Sequence, residues 1–142
     1  MQNVVINVKG MLSQDGYEEE TEFSTLGKIR TEDGRTTLSY IGMFGNNDVT
    51  EVTIEGSNVI LKKEDEEYGD AIIYLEENKV YSCFYNTPLG IVNLKVYPTV
   101  IHIFEDGDNG CIELEYISTI GDNQSTNRLV VTYCGKEEEE QI

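Results

Sequence analysis

The residues that could carry out chemistry are few and scattered in this chain. His102 is the single histidine, and on a strand it shares a face with Val100 and Phe104. A nucleophilic unit would need a serine or cysteine within hydrogen-bond reach of this imidazole, and no nucleophile-elbow motif points to one. The sequence therefore predicts no catalytic residue. An enzyme remains the third hypothesis, after two binding roles.

Metal and cofactor sites have no better support in the sequence. Residues 106–110 read Asp-Gly-Asp-Asn-Gly, which resembles the start of a calcium loop. An EF-hand needs an oxygen ligand at position 5, a glycine at 6 and a glutamate at 12, and this chain has Gly110, Cys111 and Ile117 there. One histidine and no C-x-x-C pair disfavour zinc, and no glycine-rich phosphate loop is present. We predict no metal and no cofactor.

The charge of the chain limits its partners. With 10 Lys and Arg against 27 Asp and Glu, the formal net charge is −17. Such a charge repels phosphate backbones and anionic head groups, so nucleic acid and membranes are disfavoured partners. The acidic runs at residues 18–20, 64–67 and 137–140 are typical of solvated loops and a tail. The alternative is that they dock to a basic protein.

The element around which the chain is organised spans residues 80–90. Residues 80–85 are aromatic, β-branched and small, which favours a half-buried strand. Pro88 cannot donate to a ladder and Gly90 can adopt positive φ, so residues 87–90 predict a corner between two strands. The next strand is expected to stop at Pro98.

Turn signals separate the other segments. Asp33-Gly34 predicts a hairpin, and residues 42–48 and 55–58 predict further turns. The acidic residues 14–20 are interpreted as a loop. Residues 99–104 are apolar on both faces, which is typical of a strand that is covered on both sides.

The spacing of these elements predicts the fold class. No window shows a sustained helical period, and short strands recur about every 8–12 residues with turn signals between them. We predict an all-β fold, a single closed antiparallel up-and-down β-barrel of about 8–10 strands, rather than a sandwich. Residues 1–134 would form the barrel, and residues 135–142 an acidic, disordered tail.

Cysteine usage and hydropathy bear on the compartment. Cys83, Cys111 and Cys134 are odd in number, widely separated and set in apolar surroundings, so we interpret them as reduced core residues. The sequence shows neither a signal peptide nor an apolar stretch long enough to span a membrane. We therefore expect a cytoplasmic protein.

Several motifs resemble those of one family. Residues 81–90, Tyr-Ser-Cys-Phe-Tyr-Asn-Thr-Pro-Leu-Gly, are similar to the aromatic strand and corner of the YwiB-like family of small, uncharacterised bacterial proteins. Residues 38–40, 53–56 and 112–116 match in the same order. The resemblance implies a calycin-like barrel, related in architecture to lipocalins and fatty-acid-binding proteins. It supplies no functional residues, and Leu89 and Cys83-Phe84 depart from the expected aromatic residues.

The interior of the barrel is the remaining candidate site. Alternation points five side chains inward as lumen candidates: Tyr40, Ser82, Phe84, His102 and Tyr116. A lumen of about eight strands could hold a small apolar or amphipathic ligand, or could simply be filled by side chains. In the second case we expect a regulatory or scaffold module that binds a protein partner, or a second copy as a homodimer. Its contacts would be the acidic loops or residues 100–104.

Overall fold

The computed structural model describes residues 2–41, 49–64, 71–87 and 90–135, without the side chains of residues 85–87. Among these residues the regular structure is all β. The strands are β1 (Gln2–Gln14), β2 (Tyr17–Glu32), β3 (Arg35–Ile41), β4 (Val49–Glu55), β5 (Asn58–Glu64), β6 (Ala71–Leu75), β7 (Tyr81–Thr87), β8 (Gly90–Asp106), β9 (Asn109–Ile120) and β10 (Asn123–Gly135).

The ten strands form one antiparallel sheet in the order β6-β5-β4-β3-β2-β1-β10-β9-β8-β7. Consecutive strands pair, except β6 and β7, and β1 pairs with β10, which bends the sheet into a nearly closed barrel. The predicted up-and-down barrel of about 8–10 strands is therefore confirmed. The ring is interrupted at one place, because β6 and β7 are the two edges of the sheet.

The gap between β6 and β7, which we call the seam, has its own structure. The five-residue connection 76–80 is longer than a two-residue hairpin, and the Lys79 backbone N–H donates to the Glu76 carbonyl at 3.2 Å. The Lys79 ammonium also lies 2.8 Å from the Glu76 carboxylate. Near this end the seam is bridged by Tyr74 and Tyr81, whose ring centroids are 5.1 Å apart.

Two tight turns have the same backbone conformation, but the sequence analysis predicted only one of them. Asp33 and Gly34 have φ of 53° and 79°, so the predicted hairpin between β2 and β3 is confirmed. Asp15 and Gly16 have the same signature, with φ of 49° and 80°. The expected acidic loop at residues 14–20 is therefore wrong. Two residues turn the chain, since a turn with positive φ at both positions matches the twist of the flanking strands.

Pro98 does not end a strand, contrary to expectation. It is buried within β8, and the register slips between Pro98 and Val100, which leaves Thr99 as the extra residue of a β-bulge. The Thr99 hydroxyl donates to the Glu115 carbonyl at 3.0 Å. The bulge exchanges the two faces of β8, so Val96 points inward before it and Ile101 points inward after it.

The core fills one half of the barrel. We call the end with the Asp33–Gly34 and Gly107–Asp108 turns the lower end, and the end with the Asp15–Gly16 turn the upper end. Side chains in the lower half are almost inaccessible, among them Val4, Ile6, Leu38, Ile54, Val59, Leu75, Val96, Ile112, Val131 and Tyr133. Ile6 packs closely against the backbone of Gly27, and Tyr133 against that of Gly110. An added Cβ at either glycine would collide with these side chains.

Some sequence predictions fall outside the described residues. These are the turn at residues 42–48, most of the acidic run 64–67, Pro88 and Leu89 of the corner, and the tail after Gly135. The structure describes the two residues that flank the corner. Thr87 pairs with Gly90, and Gly90 has a φ of 116°. None of the described residues lies in a helix that could cross a membrane.

Candidate functional site

The upper half of the barrel contains a cavity of about 620 Å3. It begins where the packed core ends, above a floor that includes Val8 and Leu94. Its wall continues to Glu19 and Lys63, which are exposed, so the cavity is open toward the upper end. A cavity of this volume lies within the range of about 300–1,000 Å3 in which proteins bind small molecules.

Most of the wall is apolar and comes from several strands. Alternation and register place these side chains together, because Val8 lies opposite Phe23, Leu61 opposite Ile73, and Cys83 opposite Leu94. The apolar lining consists of Val8, Phe23, Leu61, Ala71, Ile72, Ile73, Cys83, Leu94 and Leu129. Such a surface favours an apolar body over a fully polar ligand.

Two tyrosines add hydroxyl groups to this apolar wall. Tyr40 packs against Phe23 with ring centroids 6.3 Å apart and planes inclined by 55°. Tyr116 lies on β9, and burial raises the pKa of its phenol above the ordinary value. Tyr116 therefore stays neutral at physiological pH, so its hydroxyl can both donate and accept a hydrogen bond.

The upper rim of the cavity is polar and carries both charge signs. Glu19, Thr21, Thr50 and Lys63 line it. Above Leu129, the inward side chains of β9 and β10 are already bonded to one another, because Asn127 Nδ2 donates to Ser118 Oγ at 2.8 Å. The site is thus apolar in its depth and polar at its mouth, the arrangement that suits an amphipathic molecule.

The cavity also reaches the seam. Its lining includes Lys62 and Ile72, which alternate with the inward residues Leu61 and Ile73 along β5 and β6. Residues of both faces can line one cavity only where it passes the edge of the sheet. Cys83 on β7 lies on the opposite side of the same gap.

The five lumen candidates are divided between the two faces of the barrel. Tyr40 and Tyr116 line the cavity, and whether they bind a ligand stays a prediction. Ser82, Phe84 and His102 lie on the outer face, so the inward orientation expected for them is wrong. Phe84 is 74% exposed, and the Ser82 hydroxyl donates to Asn93 Oδ1 at 3.1 Å.

Each wrong orientation has a physical reason. Residues 80–85 are apolar or aromatic at nearly every position, so alternation could not decide between Ser82 and Phe84 on one side and Tyr81 and Cys83 on the other. His102 follows the bulge at Thr99, which reverses the faces, and it lies opposite the outward Glu113. The sequence analysis did not predict Phe23, Leu61 and Cys83 as cavity residues. The strand pairing in the structure places them there.

The described part of the chain contains no cluster of metal-ligating side chains. No group of three or more His, Cys, Asp or Glu side chains there could hold an ion. The three cysteines are unpaired, and they lie apart in the barrel wall. Cys83 faces the cavity, whereas Cys134 is exposed, which corrects the expectation that all three thiols lie in the core.

A nearly closed, ten-stranded antiparallel barrel with a packed lower half and an open upper cavity defines the structural class of this protein. Residues 6–131 match a domain of unknown function, DUF1934, and the chain belongs to that family. It is similar to the crystal structure of the ywiB protein from Bacillus subtilis, with a TM-score of 0.82, 20% sequence identity, and coverage of 96% of this chain and 93% of that one. The predicted YwiB-like family is therefore confirmed. No curated protein matches the chain.

Proposed function

We propose that this protein is a non-enzymatic binding protein that holds one small, largely apolar or amphipathic molecule in the upper cavity. The observation that carries the proposal is the cavity of about 620 Å3, bounded below by a packed core and lined by side chains from most of the strands. A barrel whose only task was structural would gain stability by burying this apolar wall, because apolar surface that is accessible to water costs roughly 25 cal/mol per Å2.

The lining supports a particular kind of ligand. Its deep part is aliphatic and aromatic, with Phe23, Leu61 and Leu129, and would take the apolar body of the molecule. Tyr40 and Tyr116 would meet a hydroxyl, carbonyl or similar group. The charged rim at Glu19 and Lys63 would stay in water with the polar end. Burial of the apolar body would supply most of the affinity, at roughly 25 cal/mol per Å2.

A non-enzymatic role is supported by the chemistry of the same lining. The histidine lies on the outer wall. The charged lining residues Glu19, Lys62 and Lys63 lie at the rim and the seam, and the rest of the described lining offers a thiol, two phenols and hydroxyls within mostly apolar surroundings. The proposal therefore assigns the cavity to binding and release.

Native mass spectrometry of protein purified gently from cells provides the first test. We expect a reproducible additional mass of a few hundred daltons that is lost on denaturation, because a cavity of this size holds a molecule of that class. The identity of the released compound would define the ligand.

A cavity-filling variant provides the second test, with Nile red as an uncharged apolar probe. In Ala71→Phe the new ring occupies part of the cavity, so we expect at least a tenfold loss of dye affinity, about 1.4 kcal/mol. Ile60→Phe makes a similar change on the outer face of the neighbouring strand, and its dye affinity should match the wild type. Equal dye binding by all three proteins, together with a clean apoprotein mass, would contradict the proposal.

A further inference from the structure

The two strands that border the seam are the only described strands without a charged residue. β6 reads Ala-Ile-Ile-Tyr-Leu and β7 reads Tyr-Ser-Cys-Phe-Tyr-Asn-Thr, in a chain of which 26% is charged. Both strands are edges of the sheet, and charged side chains commonly protect such edges against pairing with another chain. The seam lacks this protection, although backbone groups of both strands have no partner strand there.

The other unpaired edge, on β8, has the usual protection. β7 pairs with only the first part of β8, so residues 97–106 have a described partner strand on one side alone. That part contains Pro98, the bulge at Thr99, and the carboxylates of Glu105 and Asp106. Each of these features hinders the addition of a strand. The seam is therefore the edge of the sheet that can accept one.

The side chains of the seam suit a strand that has apolar residues on both faces. Cys83 on β7 lines the cavity, whereas Phe84 is 74% exposed on the outer face. The contact between Tyr74 and Tyr81 bridges the lower end, so the open part of β7 lies above it, along residues 82–87. An extended segment paired there would direct alternate side chains toward the cavity beside Cys83, and the others would cover Phe84.

Charge determines the ends of such a segment. Residues 62–79 contain seven carboxylates and three lysines, a net charge of −4. Two of the lysines are near a carboxylate of their own, because Lys62 lies 3.6 Å from Glu64 and Lys79 lies 2.8 Å from Glu76. A second copy of the chain would bring the same carboxylates and a charge of −17 to the contact. A segment with Lys or Arg at its ends would be attracted instead.

We infer that the seam binds an extended segment of another protein, which pairs with β7 as an additional strand. The segment has about five uncharged, mostly apolar residues, about 17 Å in length, with Lys or Arg at its ends. Backbone hydrogen bonds to β7 would supply affinity, and contacts with Cys83 and Phe84 would supply specificity. The inference rests on the edges of the sheet and does not depend on a small molecule in the cavity.

A pair of synthetic peptides tests whether binding uses the backbone. The probe is fluorescein-labelled Lys-Lys-Val-Thr-Val-Thr-Val-Lys-Lys, and we expect a dissociation constant of about 100 μM or tighter by fluorescence anisotropy at about 0.15 M salt. The control peptide has Pro in place of the central Val, so it has the same charge but lacks a central N–H. It should bind at least about tenfold more weakly. Equal binding of the two peptides would overturn the inference, because charge alone would then explain it.

A pair of protein variants tests the place of binding. Phe84→Ser removes the exposed ring from the outer face of β7 and should weaken binding of the probe about tenfold. Phe104→Ser is the matched control, since this ring is 63% exposed on the outer face of β8, and its binding should equal that of the wild type. Both variants should unfold at nearly the wild-type temperature, because both rings are exposed.

Hydrogen–deuterium exchange with the probe bound provides an independent readout. Amides of β7 should become protected, whereas those of β3, which is paired on both sides, should not change. Protection of β8 alone, or equal binding of the probe by Phe84→Ser and the wild type, would overturn the inference. So would a wild type that is dimeric in sedimentation velocity and becomes monomeric in Phe84→Ser, because a second copy would then occupy the seam.

Discussion

Tyr133 carries the only side-chain polar atom in the described residues that is buried without a hydrogen-bond partner. Its ring lies over Gly110, where an added Cβ would collide with it, and its exposure is 1%. Burial, with a contribution from the charge of Glu105, raises the pKa of its phenol to about 12. The hydroxyl is thus a local defect in the most tightly packed part of the barrel.

We expect Tyr133→Phe to stabilise the protein by about 1 kcal/mol at neutral pH, because it removes an unsatisfied buried hydroxyl. The free energy of unfolding of the wild type should fall as pH rises from about 10 toward about 12. The reason is that the Tyr133 phenol ionises at a lower pH in the unfolded state than in the folded state. This loss amounts to a few kcal/mol at most, because one pKa unit corresponds to about 1.4 kcal/mol. Urea denaturation at neutral and alkaline pH would measure both effects.

Tyr97→Phe is the control for this prediction, because Tyr97 is 40% exposed on the outer wall. It should leave stability nearly unchanged at neutral pH. Destabilisation by Tyr133→Phe would mean that the hydroxyl has a partner in solution.

Gly27 is required for packing rather than for backbone conformation. A Cβ there would collide with Ile6 Cδ1 and would lie 2.6 Å from the Ser39 carbonyl oxygen, which cannot move independently of the sheet. We expect Gly27→Ala to lower the free energy of unfolding by about 2 kcal/mol or more.

Gly10→Ala is the matched control in β1. Its new Cβ would meet only the Thr21 hydroxyl, at 3.1 Å, and that side chain can rotate away. Urea denaturation of the two variants should therefore differ clearly. Equal costs would show that the wall at Gly27 relaxes.

At the scale of the strands, turn residues and periodicity were sufficient to predict the barrel. Asp33-Gly34 identified a hairpin, and the absence of a helical period predicted the all-β structure that the described residues show. The faces of individual strands were harder to predict. A strand such as β7, apolar on both sides, carries no alternation, and the bulge at Thr99 reverses the faces of β8 without any local signal apart from Pro98.

The candidate site was only partly predictable for the same reason. Tyr40 lies on β3 and Tyr116 on β9, where apolar and polar residues alternate, and both line the cavity. Ser82, Phe84 and His102 lie on strands that lack this alternation. The cavity depends on which inward side chains fail to meet across the barrel, and that is a property of the assembled sheet.

The seam between β6 and β7 leads to a prediction about exchange. Strands at the edges of a sheet leave part of their backbone unpaired, so the amides of β6 and β7 should exchange faster than those of β3. β3 is the suitable control, because it is as long as β7 and is paired on both sides. Hydrogen–deuterium exchange resolved by peptide would measure the difference. Equal protection would show that the ring closes fully in solution.

For the whole molecule, the net charge of −17 opposes compaction. Raising the ionic strength from about 0.01 M to about 0.15 M shortens the screening length from about 30 Å to about 8 Å. We expect thermal unfolding of the dilute protein to shift upward by several degrees.

The control for the salt effect is a variant with Glu18→Gln and Glu20→Gln, two outward residues of β2. Its net charge is less negative by two, so its salt-dependent shift should be smaller. An unchanged shift would mean that local ion pairs, rather than the overall charge, govern the salt response.

The pairing of β1 with β10 also determines how the barrel must fold. Every other pairing joins consecutive strands, whereas Val4 meets Gly135 from the opposite end of the chain. Loop-closure entropy makes this the most expensive contact to form early, and distant contacts slow folding. A circular permutant that links β10 to β1 and opens the chain within residues 76–80 would begin at β7 and end at β6. It would keep all of the strand pairings, make each of them local, and fold faster to the same barrel.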